Sequence, residues 1–324
     1  MAFRLKLVPE KTNIDFFRVQ WLTFGLSIFL IVASVVIVGV KGLNFGVDFL
    51  GGTTIRTESV NPVDVGAYRD ALQPLDIGEV TITEVNDPSF RDDQHVAQVR
   101  IGAREGEEAV VPEVITAVEA ALKQVDPQIV FAQVESVGPK VSGELIWKAV
   151  LAVVAGSVGI LIYIWMRFEW QMALGTVAAM LHDVIVTLGI WSLFGLKFDL
   201  SIVAALLTIL GYSVNDTVVI FDRLRENLAK YKAMPLREMM NLTANETLSR
   251  TVMTATTTLI SLIALIVFGG DVIRGFVFAM ILGVLLGTYS TLYMAKNIVL
   301  FLGVDRGDKP KKKATPDEYA NIDA

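Results

Sequence analysis

The chain has 324 residues, of which 53% are hydrophobic and only 19% charged, with a mean hydropathy of +0.55 and a formal net charge of −6. That composition is too apolar for an ordinary soluble protein and points to an integral membrane protein. Cysteine is absent, which excludes disulfides and Cys-ligated metals, and two histidines, His95 and His182, are too few for a His-based zinc site.

Hydropathy marks six stretches of about 20 residues, the length that crosses about 30 Å of hydrocarbon. They cover 21–41, 145–166, 171–194, 199–221, 251–269 and 274–303, the last long enough to tilt or to include an interfacial turn. Arg4, Lys6, Lys11 and Arg18 precede the first stretch as in a signal peptide. The apolar run is too long for one and KGLNFG offers no small-residue cleavage site, so it reads as an uncleaved first span. Positive charge sets the orientation. Residues 1–20, the loop with Arg223, Arg225, Lys230, Lys232 and Arg237, and the tail 304–324 with KPKKK are expected in the cytoplasm.

Between the first two spans, 42–141 reads as a small soluble domain on the opposite side, followed by the membrane unit 142–303. TTIRTES alternates as a strand, and Asn61-Pro62 reads as a cap and first position of a helix running to about Leu75. EVTITEV and QHVAQVRIGA form a hairpin across DPSFRDD, a second helix spans about Glu107 to Val125, and QIVFAQVESV closes as a strand. The order β-α-β-β-α-β is the ferredoxin-like arrangement, which implies no function by itself. The fold class is thus a six-helix α-helical membrane protein with an inserted α+β domain.

That domain is acidic. More than twice as many carboxylates, Glu105, Glu107 and Glu108 among them, face seven basic residues, so nucleic-acid binding is not expected. The Glu cluster reads as a solvated helix start. No metal-ligand spacing, phosphate-cradling loop or activated nucleophile is present, and neither a metal, a cofactor nor an enzymatic activity is expected.

Polar groups inside the membrane carry the functional signal. An Asp at the middle of a spanning helix costs about 2.5–3.5 kcal/mol and persists only where it faces protein or water. His182 and Asp183 lie roughly 16 Å into the third span, near the midplane. As sequence neighbours they project about 100° apart and are expected to address different partners rather than each other. Asp216, flanked by Asn215 and by Ser213 one turn earlier, lies roughly 9 Å from the cytoplasmic boundary of the fourth span. Its natural counter-charge is Arg250 at the entry of the fifth. Equally, Arg250 snorkels to lipid phosphates while Asp216 caps a neighbouring helix, and on the residues alone both readings stand. The threonines of MTATTTL suit either a water path or helix packing, and Gly283-x-x-x-Gly287 with Ser290 reads as a packing stripe.

Four strings in order, FGVDFLGGT, LHDVIVTLG, GYSVNDTVVIFDRLREN and SRTVMTATTTL, resemble the SecF family, subunits of the bacterial SecDF protein-export complex. The resemblance runs from the first span to the last and implies membership of the resistance-nodulation-division type of membrane machines. It implies a protein, not an enzyme, that works with SecD and uses the proton motive force to promote preprotein translocation after SecA has driven the chain into SecYEG. YajC and YidC are further expected partners, with the inner membrane as location. In that resemblance Asp216 of the ND pair and Arg250 of the RT pair belong to the proton pathway, with Asn215, His182 and Asp183 beside them. The motif after the first helix contributes Gly46, Asp48, Phe49, Gly51 and Gly52, whose glycines read either as a hinge or as a rigid turn needing positive φ.

Competing readings are a proton-coupled exporter of small molecules or lipids of the same superfamily, an intramembrane aspartyl protease using Asp183 and Asp216, and a passive scaffold. A protease needs the two carboxylates within hydrogen-bonding range, against about 7 Å expected along the membrane normal.

Overall fold

The protein is described from a computed structural model over residues 9, 12–85, 90–91, 93–102 and 112–304. Helix α1 (Gln20–Lys41) ends where Gly42 adopts φ 71° and returns its N–H to the Val38 carbonyl. Two residues, β1 (Asn44–Phe45), and a single turn, α2 (Val47–Leu50), lead into the sheet domain.

The domain contains β2 (Gly52–Ser59), α3 (Val65–Leu72), β3 (Val80–Val85), β4 (His95–Ile101), α4 (Pro112–Val125) and β5 (Val130–Val137). Its antiparallel sheet has the order β3-β4-β2-β5. Alternation sends Ile55, Ile82, Val99 and Ile101 to one face, where Tyr68 and Leu72 of α3 and Val118 and Leu122 of α4 close a core. The helix expected from Asn61-Pro62 starts later, because Asp64 is the true cap and accepts from the Ala67 N–H at 3.0 Å. Asn61 instead donates to Asp126 at 2.8 Å, tying the end of β2 to the end of α4. Glu105, Glu107, Glu108 and most of DPSFRDD lie outside the described residues.

The remaining elements are α5 (Pro139–Arg167), α6 (Trp170–Phe194), β6 (Lys197–Phe198), α7 (Leu200–Lys230), α8 (Leu236–Phe268), α9 (Asp271–Ser290), a π-helical turn (Thr291–Ala295) and α10 (Lys296–Leu302). Among the described residues six helical segments are long and apolar enough to cross a membrane, the sixth running continuously through α9, the π turn and α10. Helices α7 and α8 extend well beyond the apolar stretches. Hydropathy registers only the part of a helix that lipid requires, whereas Arg223 bridges Glu226 and Glu246 at 2.6 and 2.8 Å and carries both helices onward as a polar pair. The interfacial turn considered for the last span is instead the π turn, an insertion that keeps the helix axis continuous.

Helices α6, α7 and the α9–α10 segment form the interior, with 50–56% of their apolar windows buried, against 6% for α5, 11% for α1 and 17% for α8. Small residues set these contacts. A Cβ on Gly175 would meet the Ala295 carbonyl at 2.8 Å, and one on Gly287 would press on Ser213 Cα at 3.4 Å, while Gly283 makes room for Ile209. The packing reading of Gly283 and Gly287 is therefore the one the fold uses, between α9 and α7.

Candidate functional site within the membrane

The motif after the first span is a braced turn. Gly51 and Gly52 take φ 71° and 108°, backbone open to glycine at little cost, and Gly46 sits against Lys197 Cε, where a Cβ would approach to 3.0 Å. Asp48 Oδ2 accepts the Leu200 N–H at 2.9 Å and so caps α7 from a distant part of the chain, alongside the local cap Asp199. Phe49 stacks on Phe198 at 5.6 Å, and β1 pairs in parallel with β6. These contacts fasten the base of the sheet domain to the start of α7, the helix that carries Asp216.

His182 and Asp183 are both fully buried, on α6. Contrary to the expectation of separate partners, they bond to each other, His182 Nδ1 lying 2.9 Å from Asp183 Oδ1. The backbone places neighbouring side chains about 100° apart, but both are long enough to turn toward one another where the site is dry and no other group offers charge. The second oxygen of Asp183 accepts from Ser213 Oγ of α7 at 2.7 Å and from Ser290 Oγ of α9 at 2.8 Å. One carboxylate thus joins three helices, with every oxygen occupied. His182 Nε2 has no hydrogen-bond partner, and the ring lies against Tyr289 at 6.0 Å. Tyr289 in turn donates to the Thr23 carbonyl of α1 at 2.8 Å.

Asp216 is 3% exposed on α7, and its Oδ2 has no hydrogen-bond partner. Arg250 of α8 acts on it electrostatically, but no ion pair or hydrogen bond joins them. Arg250 and Asn215 instead line one cavity of about 550 Å³, with Tyr163, Arg167, Asp222, Arg223 and Glu246 around it. The arrangement is an acid buried just inside a polar vestibule, with a cation at the vestibule wall. Thr217, the next residue, bonds Thr291 at 2.8 Å, so the π turn of the last span adjoins this acid while Ser290 adjoins the other. The carboxylates of Asp183 and Asp216 do not bond each other, and the bonds of Asp183 go to His182, Ser213 and Ser290, so the protease arrangement is not met.

Three groups escaped the sequence reading. Ser290 was legible only as a small packing residue. Lys296, 1% exposed, has no hydrogen-bond partner and lies over the rings of Phe16 and Phe17 at 4.4 and 4.5 Å. Its signal was a charge within the last apolar stretch; its partners were not foreseeable, because they come from the opposite end of the chain. The segment bearing those rings is held by Asn245, which accepts the Ile14 N–H at 2.8 Å and donates to the Ile14 carbonyl at 2.9 Å. Tyr212, whose buried hydroxyl also lacks a partner, lies one turn before Asp216.

Comparison with known proteins agrees with this architecture. A family model described as protein export membrane protein SecD/SecF, C-terminal, matches residues 117–305, and one for the SecD/SecF GG motif matches residues 36–63. The chain is 66% identical over 324 residues to the protein translocase subunit SecF of Cereibacter sphaeroides, covering 100% of both. It is 61% identical to that of Rhodobacter capsulatus, over 99% of this chain and 98% of the relative. The fold is similar to the crystal structure of SecDF, a translocon-associated membrane protein from Thermus thermophilus, with a TM-score of 0.80 and 32% identity. That alignment covers 91% of this chain and 39% of the SecDF chain, so this chain spans well under half the length of that structure. Matched over most of its length by the family model and end to end by these relatives, this multi-pass membrane chain belongs to the SecF family of protein translocase subunits.

Proposed function

We propose that this chain works with SecD in the inner membrane and uses the proton motive force to promote preprotein translocation after the SecA-driven step through SecYEG, with YajC and YidC as accessory partners. The β-α-β-β-α-β unit acts as a ferredoxin-like domain on the periplasmic side, and both termini lie in the cytoplasm. The observation that carries the reading is Asp216, an acid buried between α7 and α8 with an unpartnered oxygen, one helix away from Arg250 and beside a polar vestibule. A charged carboxylate in a dry site is tolerated while a cation stands near it. Once the helices separate, taking up a proton is the cheaper way to neutralise it, so protonation and helix movement become one event. Each elementary charge crossing 100 mV supplies about 2.3 kcal/mol, enough to bias a conformational equilibrium. The braced turn at Asp48 and Phe49 would carry that movement to the sheet domain. Asn215 lines the vestibule through which the proton leaves, and His182 and Asp183 hold the helices that the movement rearranges.

Export of a secretory protein into energised vesicles containing the partner subunits tests this reading. Asp216→Asn should abolish the acceleration that an imposed proton gradient gives to the late stage of export, and leave the ATP-driven stage intact. An equal response of both forms would make Asp216 structural.

A further inference from the structure

We infer that Tyr212 is the proton-relay group next to Asp216, on the side away from the vestibule, acting through a water held between the two side chains; the inference rests on the proton-coupled reading of that site. Both residues sit on α7 four positions apart, which places them on one face of the helix about 6 Å apart along its axis. Each presents a buried oxygen with no hydrogen-bond partner, the hydroxyl of Tyr212 and Oδ2 of Asp216. One orphaned polar atom in a membrane interior is costly; two, one turn apart on the same face, mark a place where a single water satisfies both.

The opposite wall is built to match. Helix α8 packs here through Ala255, Leu259 and Leu262. It brings Thr254 and Thr258 beside the Tyr212 hydroxyl, while Arg250, one turn before Thr254, acts on Asp216. Thr254 donates its own proton to the Thr251 carbonyl at 3.0 Å, so it passes none to Tyr212, whose hydroxyl proton is left to donate to the water. The file therefore reads Thr258, Tyr212, water, Asp216 and then the vestibule lined by Asn215 and Arg250. In the relay step the Tyr212 oxygen accepts a proton from the outer side as its original proton passes to the water. The water releases one of its own to Asp216 Oδ2. The Tyr212 and water oxygens each gain and lose one proton, Asp216 alone ends protonated, and no phenolate forms.

The test uses the full chain with SecD and the channel subunits in vesicles, comparing Tyr212→Phe, which removes only the hydroxyl, with Asp216→Asn. Infrared difference spectra on shifting the pH supply a second readout, the carbonyl stretch of protonated Asp216, identified by its absence in Asp216→Asn. We expect Tyr212→Phe to cut the gradient-driven part of export at least fivefold and to move the Asp216 band, since the carboxyl loses its bridged neighbour. Unchanged export overturns the relay, and so does reduced export with an unmoved band, which would reveal a packing effect. If Asp216→Asn itself keeps the full gradient response, the proton-coupled reading fails before the relay is reached; if only Tyr212→Phe keeps it, the relay alone fails.

Discussion

Among the described residues, two carboxylates are buried in the membrane part of this molecule, and they are treated in opposite ways. Asp183 bonds a histidine and two serines drawn from its own and two other helices, so no acceptor is left over. Asp216, about as buried, keeps an oxygen with no partner and a cation at a distance. A third acid, Asp126 in the sheet domain, shows what ordinary folding does. It is 5% exposed and bonds Asn61 and the Gln128 N–H at 2.8 and 3.1 Å. A saturated acid is a fastener whose rearrangement would cost several hydrogen bonds at once. An unsaturated one can change its protonation at little structural cost, which is what a working group needs. The difference lies in the neighbours, since all three are aspartates.

The largest effect that tests this contrast is on folding. Asp183→Leu leaves Ser213, Ser290 and His182 buried without their common acceptor, and should cost about 3–5 kcal/mol. Asp216→Asn, which strips no donor of its acceptor, should cost under about 1 kcal/mol. Unfolding of the full chain in detergent followed by denaturant titration measures both; equal losses would break the comparison. Ser290→Ala sharpens it. Losing one of two donors to Asp183 Oδ2 should cost about 1–3 kcal/mol, and combined with Ser213→Ala the losses should exceed their sum if the network acts as a unit.

The smallest effect concerns pH at the sheet domain. Burial tends to raise Asp126, but hydrogen bonds from Ser59, Asn61, the Gln128 N–H and Tyr68 outweigh it and hold the acid below its usual 3.8. A lowered folded value means that the stabilisation is present above the ordinary carboxylate range and is lost as pH falls through the folded one. Tyr68 is pushed up to about 12, first by burial and then by the charge of Asp126. Its contribution is therefore complete below pH 10 and is lost as pH rises through about 12. Amide exchange of α3 and β5 in the full chain should accelerate at both extremes, and Asp126→Asn should remove the acid limb and weaken the alkaline one, since the charge of Asp126 helps raise Tyr68.

Much of the architecture could be read from the chain because it follows from local rules. Length of apolar run gave the six membrane segments, and alternation gave the strands. The helix ends were less legible. Lipid stops acting at the bilayer boundary, but α7 and α8 continue as long as Arg223 and Glu246 can pair, and that pairing is between helices. The candidate acids were visible for the same reason that they are costly: a carboxylate inside an apolar run stands out in any sequence.

What the sequence alone determined, then, was which residues bring charge into the apolar helices and how far along each helix they stand, since that distance is set by a rise of about 1.5 Å per residue. The tertiary structure decided what each charge means. Whether His182 turns to Asp183, whether Ser290 serves as packing or as a donor, and whether Phe16 and Phe17 cover Lys296 depend on helices distant in sequence meeting at one height. Hydrogen bonds act over about 3 Å, so a neighbour's identity matters only once packing has brought it within that reach.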